Sequence, residues 1–245
     1  YLDVICPKVD LQIFIDELLE FLSKPEAPAW KVLDLYNILD QSPTLPALQQ
    51  SAQKCGYAFI NEPMQHCPYI PLPGDWETYL NSIDGKQRHE IRRKMRRAHD
   101  HYLNVRWYIV EDEEKLDPYV DAFIALMAQD PRKERFLTPS MRQQMRETMH
   151  LAHREGWLQL SFIEIGGEKA AVYFNFDYLN RIWVYNSGLD RQYWDLSLGW
   201  VLLTNLLQWS NENKRQAFDF LRGEEEYKYR FGAIDRRVVR ARVRR

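Results

Sequence analysis

Phe218-Asp219-Phe220-Leu221-Arg222-Gly223-Glu224-Glu225-Glu226-Tyr227-Lys228-Tyr229-Arg230-Phe231-Gly232 closes a segment, residues 157–232, whose order of elements decides the fold. Reading back from it, apolar alternation marks strands at 157–165, 169–176 and 181–186. Gly166-Gly167 and Leu179-Asn180 separate them as turn signals, so these strands are expected to pair antiparallel as successive hairpins. A helix at 197–211 then intervenes before the strand at 217–221. A strand-helix-strand passage of that kind makes a parallel pair, and the sheet is expected to be mixed. A short helix at 224–229 and a basic strand at 237–243 complete the chain.

Upstream, a strand at 105–110 and helices at 116–128 and 139–154 precede the hairpins, giving the order βααβββαβαβ after residue 105. The first seventy residues read as a helix at 11–22, with apolar Leu11, Phe14, Ile15, Leu18, Leu19 and Leu22. A strand at 32–38, a helix at 46–54 and a strand at 57–60 follow. This is an α/β half without its beginning, and since the chain starts at Tyr1 rather than Met its first element is expected to be truncated. Cys67-Pro68-Tyr69-Ile70-Pro71-Leu72-Pro73-Gly74 favours extended backbone and is read as the domain connection, after which Asp75 caps a helix starting at Trp76. In the helix expected at 86–102, Ile91, Met95, Ala98 and Tyr102 form one apolar stripe. The expected domains are a partial N-terminal half (1–70), connecting helices (71–102) and a C-terminal domain (103–245).

A chain of 245 residues, 45% hydrophobic, can bury a core. No run approaches the roughly 18 apolar residues of a membrane span, and no signal peptide is recognisable. Cys6, Cys55 and Cys67 are odd in number and match no metal spacing, which favours a reducing cytoplasm. His150 and His153 lie three apart on a helix with no further ligand type near them, so no metal is expected. The net charge of −2 hides a basic run at 86–97, where seven Lys or Arg are opposed only by Glu90. The run lacks aromatic stacking platforms and any DNA-binding motif, so no DNA partner is expected. It reads first as a solvated face, and second as a phosphate clamp in which Arg88, Arg92 and Arg96 share one side of the helix.

Three features carry a family resemblance. They are Trp76-x-x-Tyr79-Leu80 followed by Lys86-x-Arg88-x-x-Ile91-Arg92-Arg93, the strand holding Ala170-Ala171 followed by Tyr185-Asn186-Ser187-Gly188-Leu189-Asp190, and the terminal motif from Asp219 to Gly232. Together they span about two thirds of the chain. They resemble the GNAT acyltransferases, in the CelD-type branch of cellulose and exopolysaccharide synthesis, which is related to the Fem peptidyltransferases. The resemblance implies an α/β (α+β) fold with a mixed, mostly antiparallel sheet splayed open beside its central helix, together with a partial second GNAT-like half. It also implies transfer of an acetyl or other acyl group from acyl-CoA to an amine or hydroxyl acceptor, a small molecule or sugar, in envelope polysaccharide synthesis. A Fem-type transferase using aminoacyl-tRNA stands second, since no long helical arm for transfer RNA is evident. A non-catalytic GNAT-like binding protein is the third reading. One departure from the family is plain: in place of a glycine-rich phosphate turn this chain has Asp195-Leu196-Ser197-Leu198-Gly199.

Acyl transfer from a thioester needs a deprotonated nucleophile, donors for the developing oxyanion and help for the leaving thiolate. The backbone at Tyr185, Asn186 and Ser187 is placed to face the carbonyl. Lys228 stands where the Fem enzymes carry a functional lysine after an aromatic residue, and it can donate to developing negative charge. Without that motif it would read as a surface lysine. Asp219, alternating with Phe218 and Phe220, is either a base or positioning group or a structural partner of Arg222. Tyr227 or Tyr229 could protonate the thiolate, though packing is the plainer role for both. Ser197, Leu198 and Gly199 at a helix start would hold the CoA pyrophosphate through unpaired N–H groups. Glu224, Glu225 and Glu226 read first as helix-start acids, with Glu224 also open to an amino acceptor and Arg222 to substrate.

Overall fold

The computed structural model describes residues 1–101, 103–111 and 116–245. The chain divides into two units, one of residues 1–68, 222–224 and 235–245, the other of residues 69–221 and 225–234.

In the first unit, α1 (Leu11–Ser23) and α2 (Thr44–Lys54) cover a three-stranded antiparallel sheet. Its outer strands are β1 (Val32–Leu39) and β2 (Ala58–His66), and its middle strand is β9 (Arg237–Arg244). The basic strand expected to end the second domain therefore completes the first. Alternation explains how: Val239, Ala241 and Val243 join Ile15, Leu19 and Leu48 in the core. On the other face Arg240 meets Asp34 on β1 and Arg242 meets Glu62 on β2, so each arginine is neutralised across the sheet.

The second unit carries a six-stranded sheet. Its strands are β3 (Tyr69–Pro71), β4 (Val105–Ile109), β5 (Leu158–Ile165), β6 (Glu168–Tyr178), β7 (Arg181–Leu189) and β8 (Ala217–Asp219), in the order β3-β8-β7-β6-β5-β4. All neighbours are antiparallel except β7 and β8, which run parallel as the strand-helix-strand passage implied. The fold is thus the mixed, open-sheeted α/β arrangement expected. The proline-rich stretch read as a connection supplies the edge strand β3, a position where a missing N–H is tolerated.

Helices α3 (Trp76–Ser82), α4 (Gly85–His99) and α8 (Leu198–Glu212) cover one face of this sheet. The helices expected to connect two domains are thus built into the second unit's core through Tyr79, Leu80, Ile83, Ile91 and Ala98. Asp75 caps α3 as expected, accepting from Thr78 N at 2.7 Å. Tyr102, the last member of the expected stripe, lies outside the described residues. On the opposite face α5 (Leu116–Ala128) and α7 (Pro139–Arg154) bury Phe123, Met145 and Met149 against Leu160, Phe162, Val172 and Phe174. Between them sits α6 (Pro131–Phe136), which the apolar pattern did not suggest. It is nucleated by Asp130, whose carboxylate accepts from Arg132 N, and by proline in its first turn.

Strand β7 departs from regular pairing at two places. Its pairing with β8 stops at Trp183↔Asp219, while β7 itself runs on to Leu189, so the sheet opens there. Opposite β6, Phe174 pairs with Asn186 and Asn175 with Val184, leaving Tyr185 as a bulge that bends the strand. Beyond the bulge, α5 comes so close that a Cβ on Gly188 would lie 2.6 Å from Met127 N and 2.7 Å from the Leu126 carbonyl carbon. Glycine is required there for space.

Candidate active site

Where β8 ends, Asp219 is fully buried and its Oδ1 accepts from Leu221 N at 2.9 Å. That bond holds Leu221 at φ 53° and turns the chain toward α9 (Glu226–Arg230). The carboxylate thereby shapes the turn.

Lys228, on α9, is 4% exposed, and its Nζ lies 2.8 Å from Glu225 Oε2 and 5.4 Å from the centre of the Phe220 ring. Burial is the largest single influence on Glu225 and opposes its ionisation, but the Lys228 hydrogen bond, a backbone N–H and the charges of Lys228 and Lys133 together outweigh it and hold the carboxyl below its ordinary range. Tyr227 shares a hydroxyl hydrogen bond with Tyr173 of β6. Burial raises both phenols, Tyr173 to about 12 and Tyr227 well above its ordinary value, so both stay protonated at neutral pH.

Two of the three acids stand at the helix start as expected, Glu225 at the N-cap of α9 and Glu226 in its first turn. Glu225 pairs with Lys228 and Glu226 with Arg230, while Glu224 belongs to the first unit, 3.4 Å from His66 Nε2. Arg222 is also in the first unit, where it lines a cavity with Met64, Gln65, His66, Gly223 and Glu224.

Along the opened edge of β7, Asn186 Oδ1 accepts from Ser187 N at 2.9 Å, so that N–H is already engaged. The Tyr185 ring packs on Phe174 and Phe176, on the face of β6 opposite Tyr173. The carbonyl of Ser187 accepts from Lys133 Nζ at 2.5 Å. Lys133, on α6, was not singled out from the sequence, although Asp130-Pro131 is a helix-start signal that would have placed it. Burial lowers its pKa, with Asp130 and Glu225 favouring the charged form.

A 3-10 turn, Arg191–Leu196, leads from β7 to Ser197, which adopts a left-handed conformation at φ 54° immediately before α8. Trp200 N and Val201 N bond back to Ser197 O. The amides of Leu198 and Gly199 ahead of them are those that a helix start leaves unpaired, and a Cβ on Gly199 would meet nothing within 4 Å. Unpaired first-turn amides beside open space at Gly199 suit a phosphate group, even without a glycine-rich turn. Arg88 and Arg92 are engaged elsewhere: Arg88 donates to Leu80 O and Asn81 Oδ1, and Arg92 to Glu77, tying α4 to α3. Among the described residues no group of three or more His, Cys, Asp or Glu could hold a metal, and His150 pairs with Asp117. No helix among them is long and apolar enough to cross a membrane.

Residues 85–229, from the start of α4 into α9, match the family model for the acetyltransferase (GNAT) domain. The chain belongs to the GNAT acetyltransferase family. The match takes in the opened β7 edge, the start of α8 and the Lys228–Glu225 pair of this GNAT domain. FemX is similar in fold, with a TM-score of 0.62 at 12% identity, over 95% of this chain and 76% of that one. The C-terminal domain of a putative lysylphosphatidylglycerol synthetase from Agrobacterium fabrum is also similar, with a TM-score of 0.59 at 11% identity, covering 96% and 74%. L-PGS from Bacillus licheniformis gives 0.59 at 11% identity, covering 96% and 73%. No curated protein matches this GNAT chain in sequence.

Proposed function

We propose that this protein transfers an acetyl or other acyl group from acyl-CoA to an amine or hydroxyl acceptor, with the CelD-like setting of envelope polysaccharide synthesis as its context. The observation that carries the reading is the opening of the sheet between β7 and β8, with the α8 start at one end and the Lys228–Glu225 pair beside it. Leu198, Gly199 and Ser197 hold the pyrophosphate of the donor, which supplies the activated thioester. The acceptor's lone pair attacks the thioester carbonyl carbon, and the Lys228 ammonium faces the charge that develops on its oxygen. The C–S bond then breaks. Tyr227, kept protonated by burial, gives its proton to the departing thiolate and recovers one through Tyr173, while the acceptor's own proton is released to water.

The similarity in fold to FemX and to a putative lysylphosphatidylglycerol synthetase supports a second reading, in which the donor is an aminoacyl-tRNA. Calorimetric titration with acetyl-CoA separates the two. Ser197→Asp keeps a residue type that tolerates the left-handed backbone but sets a negative charge at the phosphate position. Binding to the wild type that is lost in Ser197→Asp is the expected result. No binding to either protein would overturn the acyl-CoA reading in favour of the charged-tRNA donor or a non-catalytic role.

A further inference from the structure

Lys133 is in an unusual electrostatic position. The residue is half-buried, yet its one hydrogen bond among the described residues is to a neutral acceptor, the Ser187 carbonyl, and it forms no ion pair there. A half-buried cation whose one direct partner is a neutral carbonyl keeps attraction to spare for an anion, even with Asp130 and Glu225 in electrostatic reach.

The nearby carboxylates are committed elsewhere. Asp130 accepts from Arg132 N at 2.8 Å and from the Arg132 guanidinium at 3.3 Å, and Glu225 pairs with Lys228. Lys133 opens onto a cavity of about 160 Å³, lined also by Asp130, Ser187, Gly188, Arg191 and Trp194. Arg191 brings a second cation, with no ion pair among the described residues; its backbone N–H donates to Gln129 Oε1. On this measure a single water needs only about 10–15 Å³, so the cavity has room for a small charged group.

The geometry points to a seat for an anionic group, carboxylate or phosphate, between Lys133 and Arg191, and so to an acceptor substrate that carries one. It rests on the acyl-transfer reading only in calling that molecule the acceptor. A cationic acceptor is disfavoured by the same two charges. The Ser187 carbonyl, meanwhile, orients the lysine toward the opened strand edge, so the anionic group would anchor the acceptor with its nucleophile directed to the cleft that holds Lys228.

Trp194 is 69% exposed on the cavity wall and supplies the readout. Its fluorescence, isolated by subtracting the Trp194→Phe signal, is titrated with inorganic phosphate and separately with acetate, with chloride holding the ionic strength constant. Saturable quenching is expected, and the anion that saturates at the lower concentration identifies the chemistry of the acceptor's group. Lys133→Met should raise the half-saturating concentration about tenfold or more, while Lys133→Arg, which keeps the charge, should stay close to wild type. Lys133→Gln serves if the methionine variant does not fold. An unchanged half-saturation in the neutral variants would overturn the proposal, as would loss of the signal in Ser197→Asp alone, since the anion would then sit at the start of α8. The acetyl-CoA titration is a separate arm. If acetyl-CoA fails to bind while Lys133-dependent anion binding persists, the donor reading falls and the anion seat stands.

Discussion

Lys228 is a buried ammonium paired with the Glu225 carboxylate, and the two partners differ sharply in exposure: the lysine side chain is 5% exposed and that of Glu225 60%. Lys228→Ala frees a carboxylate that can turn into water but also empties the space of a buried side chain, so a stability cost of about 2 kcal/mol is expected. If the ammonium stabilises the oxyanion, the same substitution should lower turnover about 100- to 1,000-fold. Steady-state kinetics beside thermal unfolding checks both, and an unchanged rate would remove Lys228 from the mechanism. Lys228 was singled out in the sequence through the resemblance of its aromatic-lysine pair to that of the Fem enzymes. Lys133 carried no such mark. It lies on a helix of six residues, too short for an apolar period, and its importance comes from β7, whose carbonyl it meets 54 residues further along the chain.

At the scale of elements, alternation and turn residues were sufficient to order the second unit, because each hairpin buries two sets of side chains on opposite faces of one sheet. The helices α5 and α7 begin and end as expected for the same reason: long apolar periods leave little freedom in register. What periodicity does not report is how closely two elements approach. Gly188 reads in sequence as one more glycine in a strand. In the structure its missing Cβ admits the α5 backbone at Leu126 and Met127. Gly188→Ala places a carbon against main-chain atoms that cannot rotate away, so a loss of about 3 kcal/mol is expected, at the upper end of overpacking costs. Equilibrium denaturation measures it, and a midpoint equal to wild type would mean that α5 can shift without penalty.

For the molecule as a whole, the sequence suggested a boundary near residue 70 with everything beyond 103 in one domain. That fails for β9, since an alternating strand announces its two faces but not its neighbours. Arg240 and Arg242 find Asp34 and Glu62 only across more than 170 residues of chain. Removing residues 237–245 should leave β1 and β2 without their shared partner. Amide exchange should then lose its protection throughout β1 and β2 while β5 and β6 keep theirs; retained protection in β1 and β2 would show that those strands hold without β9. The placement of β9 also imposes a timetable on biosynthesis. The ribosome delivers the two outer strands early and the strand between them last, after the whole of the second unit has emerged. At about 5–20 residues per second that gap lasts on the order of ten to thirty seconds, with two strand edges open to any passing chain. Production of this protein should therefore respond to chaperone supply and growth temperature through its first seventy residues, even though the family match falls on residues 85–229.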